Sequence, residues 1–345
     1  NKGGIVDAGA LPSAQYTQQY IKDDILVSNI RPYFKKIWMA DDDGGCSNDV
    51  LVFRADRGCD STFLYYILAN DAFFNYASAT SKGTKMPRGD KTAIMQYKVP
   101  CFNYETQLRI GKLLRSIDDR IAVNKKINDN LQQQLFSLYE NMATASPCLK
   151  EYTLSNLCDF QEGYVNPPQT HPEYFDGEVK WLRAVDINES FIIETSRTLT
   201  KAGFESAKKS ALLFEPNTIA ISKSGTIGRL GIIADYMCGN RAVINIAPHD
   251  TNMLAFIYCF LKSKQREFPD MAVGSVQKNL YVSLLEPLSV SIPDNESLTA
   301  FNAVGASILG MIHNNCVENT DLANLRDTIL PKLMSGEIDV SSVLL

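Results

Sequence analysis

The chain has 345 residues, 45% hydrophobic and 21% charged, with a formal net charge of −5. That composition suits two globular domains with their own cores and excludes a disordered or fibrous chain. There is no run of eighteen apolar residues, no leader-like segment in residues 1–20, and no C-x-x-C among eight cysteines beside three histidines. A membrane span, a signal peptide, a disulfide framework and a zinc site are therefore not expected, and reduced thiols fit a cytoplasmic location.

In chain order, residues 25–27 and 50–53 are short apolar runs bounded by Gly, Asn and Asp, and are expected to be strands. Residues 63–76 carry the pattern of a short amphipathic helix, and a long helix covers residues 104–147. The order then recurs, with strands expected at 218–221 and 242–246, a helix at 253–268 and a second long helix after 295. Direct matches support a repeat. "DILVSNIRP" at 24–32 resembles "NTIAISKSG" at 217–225, and "CSNDVLVFRA" at 46–55 resembles "CGNRAVINIA" at 238–247. "FLYYILAN" from Phe63 and "YKVPCFNYETQLRIGKLL" from Tyr97 have counterparts from Phe256 and Leu288. Four matches in order at one spacing, roughly 193 residues, identify an internal duplication of an α+β domain followed by a helix.

The first long helix carries a 3.5-residue seam through Ile110, Leu114, Ile117, Ile121, Asn124, Asn128, Leu131 and Leu135. Shifting by about 194 residues puts the second seam at Val304, Ile308, Met311, Asn315, Glu318, Leu322, Leu325 and Ile329. Both seams are apolar at the ends and polar in the middle. That suits an antiparallel pair within one chain, with Asn124 and Asn128 near Glu318 and Asn315, the polar layer fixing register. Packing of each helix on its own domain, or a homodimer, are the alternatives. About 37 helical residues would span roughly 55 Å, enough to act as a spacer between two domains.

Duplicated domain plus helix, the "IDDRIAVN" run at 117–124 and "LRDTILPKLMSGEI" at 325–338 together resemble the specificity (S) subunit of Type I restriction-modification systems. The resemblance implies target-recognition domains at 1–103 and 148–294, a spacer helix at 104–147, and a second spacer helix with a tail at 295–345. It also implies a non-catalytic subunit without cofactor or small-molecule substrate, which reads half of a split site in double-stranded DNA with each domain. Two methyltransferase (modification) subunits would dock on it and restriction subunits would join them. Aligning the repeats leaves about 45 residues of the second unit, from near Leu149 to near Ile193, without a copy in the first. Either the sequence begins inside a longer protein or the first recognition domain is incomplete. The expectation is a longer chain.

Rival signals are weaker. "NPPQ" at 166–169 has Gln169 where an adenine methyltransferase places an aromatic over the flipped base, and no glycine-rich cofactor turn accompanies it. "GTIGRLG" at 225–231 has hairpin rather than dinucleotide spacing. A methyltransferase using NPPQ and a scaffold that binds only protein remain the alternatives in function.

The negative total charge conceals a difference. Residues 1–150 hold 19 basic and 16 acidic side chains, whereas residues 151–200 hold 3 and 9. Candidate DNA contacts in the first repeat are Asn29, Arg31, Lys35 and Lys36, with Lys82, Lys85, Arg88 and Lys91 on a glycine-punctuated loop. The matching loops of the second repeat offer Ser222, Lys223, Ser224, Thr226 and Arg229, then Gln277, Lys278 and Asn279. Gln and Asn suit adenine edges, and Lys and Arg suit guanine or phosphate. Solvated surface loops would look similar.

Overall fold

A computed structural model describes residues 17–145, 150–275 and 277–341. The first sixteen residues of the expected first recognition domain, Leu149 at the expected start of the second repeat, and the end of the tail lie outside those residues. The chain divides into two compact units, Asn1–Ile121 with Asp321–Leu345, and Ala122–Thr320.

The described part of the first unit contains β1 (Gln18–Tyr20), β2 (Ile25–Ser28), β3 (Ile37–Met39), β4 (Gly44–Cys46) and β5 (Val50–Phe53). Helices α1 (Ser61–Ala69), α2 (Asp71–Ala79) and α3 (Lys91–Ile94) follow, then α4 (Tyr104–Ala145), which continues into the second unit. β2 is central in an antiparallel sheet of order β3-β2-β5, with Leu26 opposite both Trp38 and Val52. Ile25 and Val27 pack on Leu68, Phe73 and Phe74, as alternate residues of a strand share one face. The single helix expected over 63–76 is two helices. Asn70 adopts an extended conformation (φ −67°, ψ 142°) and its side chain accepts from the Ala72 N–H, which caps α2.

The second unit contains β6 (Lys150–Thr153), β7 (Cys158–Glu162), β8 (Phe175–Leu182), β9 (Phe191–Ile192), β10 (Thr198–Leu199) and α5 (Lys201–Glu205). Next come β11 (Leu213–Phe214), β12 (Ile219–Ser222), β13 (Leu230–Ile233), β14 (Met237–Gly239) and β15 (Val243–Pro248). Helices α6 (Leu254–Lys264), α7 (Phe268–Met271) and α8 (Val282–Leu285), strand β16 (Ser289–Ile292) and helix α9 (Asn295–Ser335) complete it. The pairing scheme of the first unit recurs. Ala220 of β12 faces Gly231 of β13 and Asn245 of β15, and β14 pairs with β11 as β4 pairs with β1. The second unit then adds β7 on β15, β9 on β13 and β8 on β14. Such strands cover the sheet edge, and β15 is buried except at Ala247, whereas all four residues of β5 are half-buried.

Within each unit α4 and α9 run antiparallel. In the first, Ile110 and Leu114 of α4 share a cluster with Leu330 and Leu333 of α9 and with Phe63 and Tyr66 of α1. In the second, Leu131 and Leu135 meet Phe301, Ile308 and Ile312. The α4 seam follows the expected positions, with Ile117, Asn124 and Asn128 buried and Ile121 half-buried. The α9 seam follows them only in part. Ile308 is buried as expected, but Val304, Met311 and Leu325 are about half exposed, at 48%, 52% and 50%, and Phe301, Gly305 and Ile312 are buried in their place. Gly305 and Ile312 each lie one residue beyond Val304 and Met311, so the buried stripe is rotated about the helix axis, and it includes a glycine. A β-carbon on Gly305 would lie 2.6 Å from that of Ala255, so α6 approaches too closely for any side chain there. Asn315, Glu318, Leu322 and Ile329 are half-buried. Beyond α9 the tail turns at Gly336 (φ 77°) and buries Val340 in the first-unit cluster, and Arg109 Nη1 donates to the Ser341 carbonyl at 2.9 Å. Among the described residues no helix is long and apolar enough to cross a membrane.

Candidate nucleic-acid interface

In the first unit the two candidate segments meet. Beyond β2, the Asn29 N–H donates to the Asp49 carbonyl at 2.9 Å, and the Asn29 carbonyl accepts from Gly89 N–H at 3.1 Å. The Arg31 N–H donates to the Pro87 carbonyl at 2.8 Å, and a bridge between Lys82 and Arg88 closes the loop between them. Several cations are already engaged. Arg88 donates from Nε and Nη2 to Asp49 at 3.1 and 3.2 Å, Lys82 lies 2.5 Å from Asp90, and Lys35 lies 2.9 Å from Asp71. The Lys82 hydrogen bond, with N–H groups of α3, holds the Asp90 carboxyl below the ordinary carboxylate range. Lys36, Lys85 and Lys91 are exposed and make no ion pair among the described residues. Asn29 is only 6% exposed and its Oδ1 is buried with no partner among the described residues, so its place is beneath the loops rather than at their tips.

The second unit brings its equivalent segments together in the same way. The Leu280 N–H donates to the Lys223 carbonyl at 2.9 Å, and a bridge between Val273 and Asn279 closes the loop, with Gly274 at φ 141°. Ser222 is fully buried. Its Oγ donates to the Thr226 carbonyl and accepts from the Arg229 N–H, closing the turn between β12 and β13. "GTIGRLG" thus forms a hairpin. Lys223 is engaged too, 2.8 Å from Glu162 and 4.8 Å above the Tyr281 ring. Tyr164 Oη donates to the same Glu162 at 2.8 Å. Gln277, Lys278 and Thr226 are exposed, and Ser224, Arg229 and Asn279 half-buried, with Asn279 Nδ2 donating to the Gln277 carbonyl.

Sequence reading missed the carboxylates that hold these cations, Asp49, Asp71, Asp90 and Glu162, because each is distant in sequence or on another element. It also missed the exposed rings Tyr33, Phe34 and Tyr281 at the loop edges. The signal for the first two was present as an aromatic pair after proline in "RPYFKK".

The polar middle of the helix pair lies in the second unit. Asn124 Nδ2 donates to Glu318 Oε2 at 2.8 Å and Asn319 Oδ1 at 3.0 Å, and Asn128 Oδ1 accepts from Asn315 Nδ2 at 2.8 Å. In the first unit Asp118 takes hydrogen bonds from Tyr66 Oη and Arg326 Nη1, each at 2.6 Å.

The "NPPQ" segment is a surface loop after β7, with Pro167 buried and Gln169 Oε1 accepting from Arg197 at 2.9 Å. His171, His249 and His313 sit against Glu173, Asp159 and Phe191 respectively, in three different places. No metal-binding cluster is found among the described residues.

The family described as Type I restriction modification DNA specificity domain matches residues 9–133 and 149–320, and the chain belongs to it. It is 24% identical over 308 residues to the Type I restriction enzyme MjaIX specificity subunit of Methanocaldococcus jannaschii, covering 83% of this chain and 71% of that protein. It is 27% identical over 176 residues to the HindI specificity subunit of Haemophilus influenzae, covering 50% of this chain and 38% of that one. The fold is similar to the crystal structure of a Type I S subunit from M. genitalium, with a TM-score of 0.54 at 19% identity, covering 96% of this chain and 87% of that one.

Proposed function

We propose that this specificity subunit reads a bipartite target in double-stranded DNA, one half with each unit, and performs no catalysis itself. Modification (methyltransferase) subunits dock on it, and restriction subunits join through them. The observation that carries the reading is the pair of loop clusters, built by equivalent hydrogen-bonded closures on corresponding sheets of the two units but bearing different side chains. Exposed Lys36, Lys85 and Lys91 suit phosphate contact in one unit, whereas Gln277 offers an amide able to pair with an adenine edge in the other. Repetition of the frame with variation of the tips is what two readers of unlike half-sites require. The helices α4 and α9, 42 and 41 residues long, would then set the spacing between the halves.

The test is to map methylated motifs in cells carrying this chain with its neighbouring subunits. The expected motif has two defined halves and an undefined spacer. Exchange of residues 273–279 for those of a relative should change one half and leave the other. A continuous motif, or both halves altered by that one exchange, would overturn the assignment.

A further inference from the structure

β2 of the first unit leads into one 3-10 turn, Pro32–Phe34, bracketed by Arg31 at φ 52° and Lys35 at φ 51°. Both residues are left-handed, a conformation that crowds any residue carrying a β-carbon. The corresponding turn of the second unit has its positive φ values at Gly225 (76°) and Gly228 (85°), where no such crowding arises. Strain retained at two non-glycine residues is informative about what the turn presents.

What it presents is an aromatic pair. Tyr33 and Phe34 are 52% and 42% exposed, with ring centroids 4.8 Å apart. The base of the turn is fixed. Pro32 is buried, the Phe34 and Lys35 N–H groups donate to the carbonyls of Arg31 and Pro32, and Lys35 is tied to Asp71. Arg31 and Lys36 place their cations 5.9 Å from the centre of the Phe34 ring, and Arg31 Nε is buried with no hydrogen-bond partner among the described residues. Met86, 47% exposed, stands on the neighbouring loop. A fixed apolar tip in a collar of cations matches a nucleic acid step, where bases offer apolar faces and flanking phosphates offer negative charge. A neutral protein surface would satisfy the rings but leave the collar unmatched.

Resting on the DNA-recognition reading above, we propose that Tyr33 and Phe34 form a wedge that enters the duplex at the first unit's half-site and partly unstacks one base step. The second unit, with Thr226 and Ile227 at the matching turn, does not unstack its half-site in this way.

The experiment uses the chain assembled with its modification subunits on duplexes bearing the mapped motif. 2-Aminopurine is placed in turn at each position of both half-sites other than the methylated base. The wild-type complex should raise fluorescence several-fold at one step of the first half-site only. Combined Tyr33→Ala and Phe34→Ala should abolish the rise and weaken binding on the order of tenfold, whereas Phe34→Leu, which keeps apolar bulk, should retain most of it. An unchanged signal in a double variant that still binds overturns the wedge, as does an equal rise in both half-sites. Should the double variant not fold, Phe34→Leu against Phe34→Glu decides, and equal signals from the two overturn it. A wild-type complex that binds no duplex overturns the DNA reading, and the wedge with it.

Discussion

Replacing Asp118 with alanine removes one carboxylate on which three elements of the first unit converge. Tyr66 Oη and Arg326 Nη1 each donate to it at 2.6 Å, and Tyr66 is only 2% exposed. Burial, and then the nearby Asp118 charge, push the Tyr66 phenol far above its ordinary range. Loss of the acceptor leaves a buried hydroxyl without a partner, which costs about 1–3 kcal/mol, and also deletes a charge-assisted bond from arginine of roughly 1.5–3 kcal/mol. Two effects reduce the total. Arg326, with 19% of its side chain exposed, keeps Asp327 at 2.9 Å and regains some water, and alanine improves helix propensity by about 0.5 kcal/mol. The expected loss is therefore about 2–4 kcal/mol, with Tyr66→Phe alone costing about 1 kcal/mol. Urea unfolding followed by hydrogen exchange in α1 and in the first-unit part of α4 measures both, and a double-mutant cycle with Arg326→Ala isolates the ionic part. If Asp118→Ala unfolds within about 0.5 kcal/mol of wild type, this cluster does not hold α1 to the helix pair as argued.

Inserting one heptad into α4 after Ala122 and another into α9 before Thr320 preserves the seam and adds roughly 10 Å of helix. The spacer of the methylated motif should then lengthen by about three base pairs, and an unchanged spacer in an active complex would refute the ruler. Gln277→Ala should relax one half-site by ~1–3 kcal/mol of discrimination, while Lys278→Ala should weaken binding to all sequences alike. Wild-type methylation of the same motif by both variants would exclude this loop as a reader. Asp24, nearly fully buried, accepts a fork from Arg54 at 2.7 Å from each nitrogen, and that hydrogen bond holds its carboxyl below the ordinary value. A depressed carboxylate stabilises the fold above its unfolded value, near pH 3.9, and loses that contribution as pH falls through the lower folded value. Asp24→Asn should flatten the acid limb of a stability–pH curve, and an unaltered limb would count against the pair.

The sequence by itself determined the duplication, two strands in each unit (β2 and β5, β12 and β15) and the α4 seam with its two asparagines. These are local or repeated patterns, and pattern survives without coordinates. Burial of Ile110, Leu114, Leu131 and Leu135 follows from a 3.5-residue period alone. Tertiary structure decided the α9 phase, because Val304 and Met311 offer an apolar stripe as plausible as Phe301 and Ile312. Only the approach of Ala255 to Gly305 shows which stripe faces inward. It also decided which loop cations are engaged. Lys82 and Lys85 look alike in sequence and both are exposed, yet Lys82 is held by Asp90 and Lys85 makes no ion pair among the described residues. The strained turn that lifts Tyr33 and Phe34 was equally hidden, since backbone sign at Arg31 and Lys35 is set by how the chain must return from β2 to β3. Composition and spacing report which residues are available. Which of them remain available for a partner depends on contacts made across the fold.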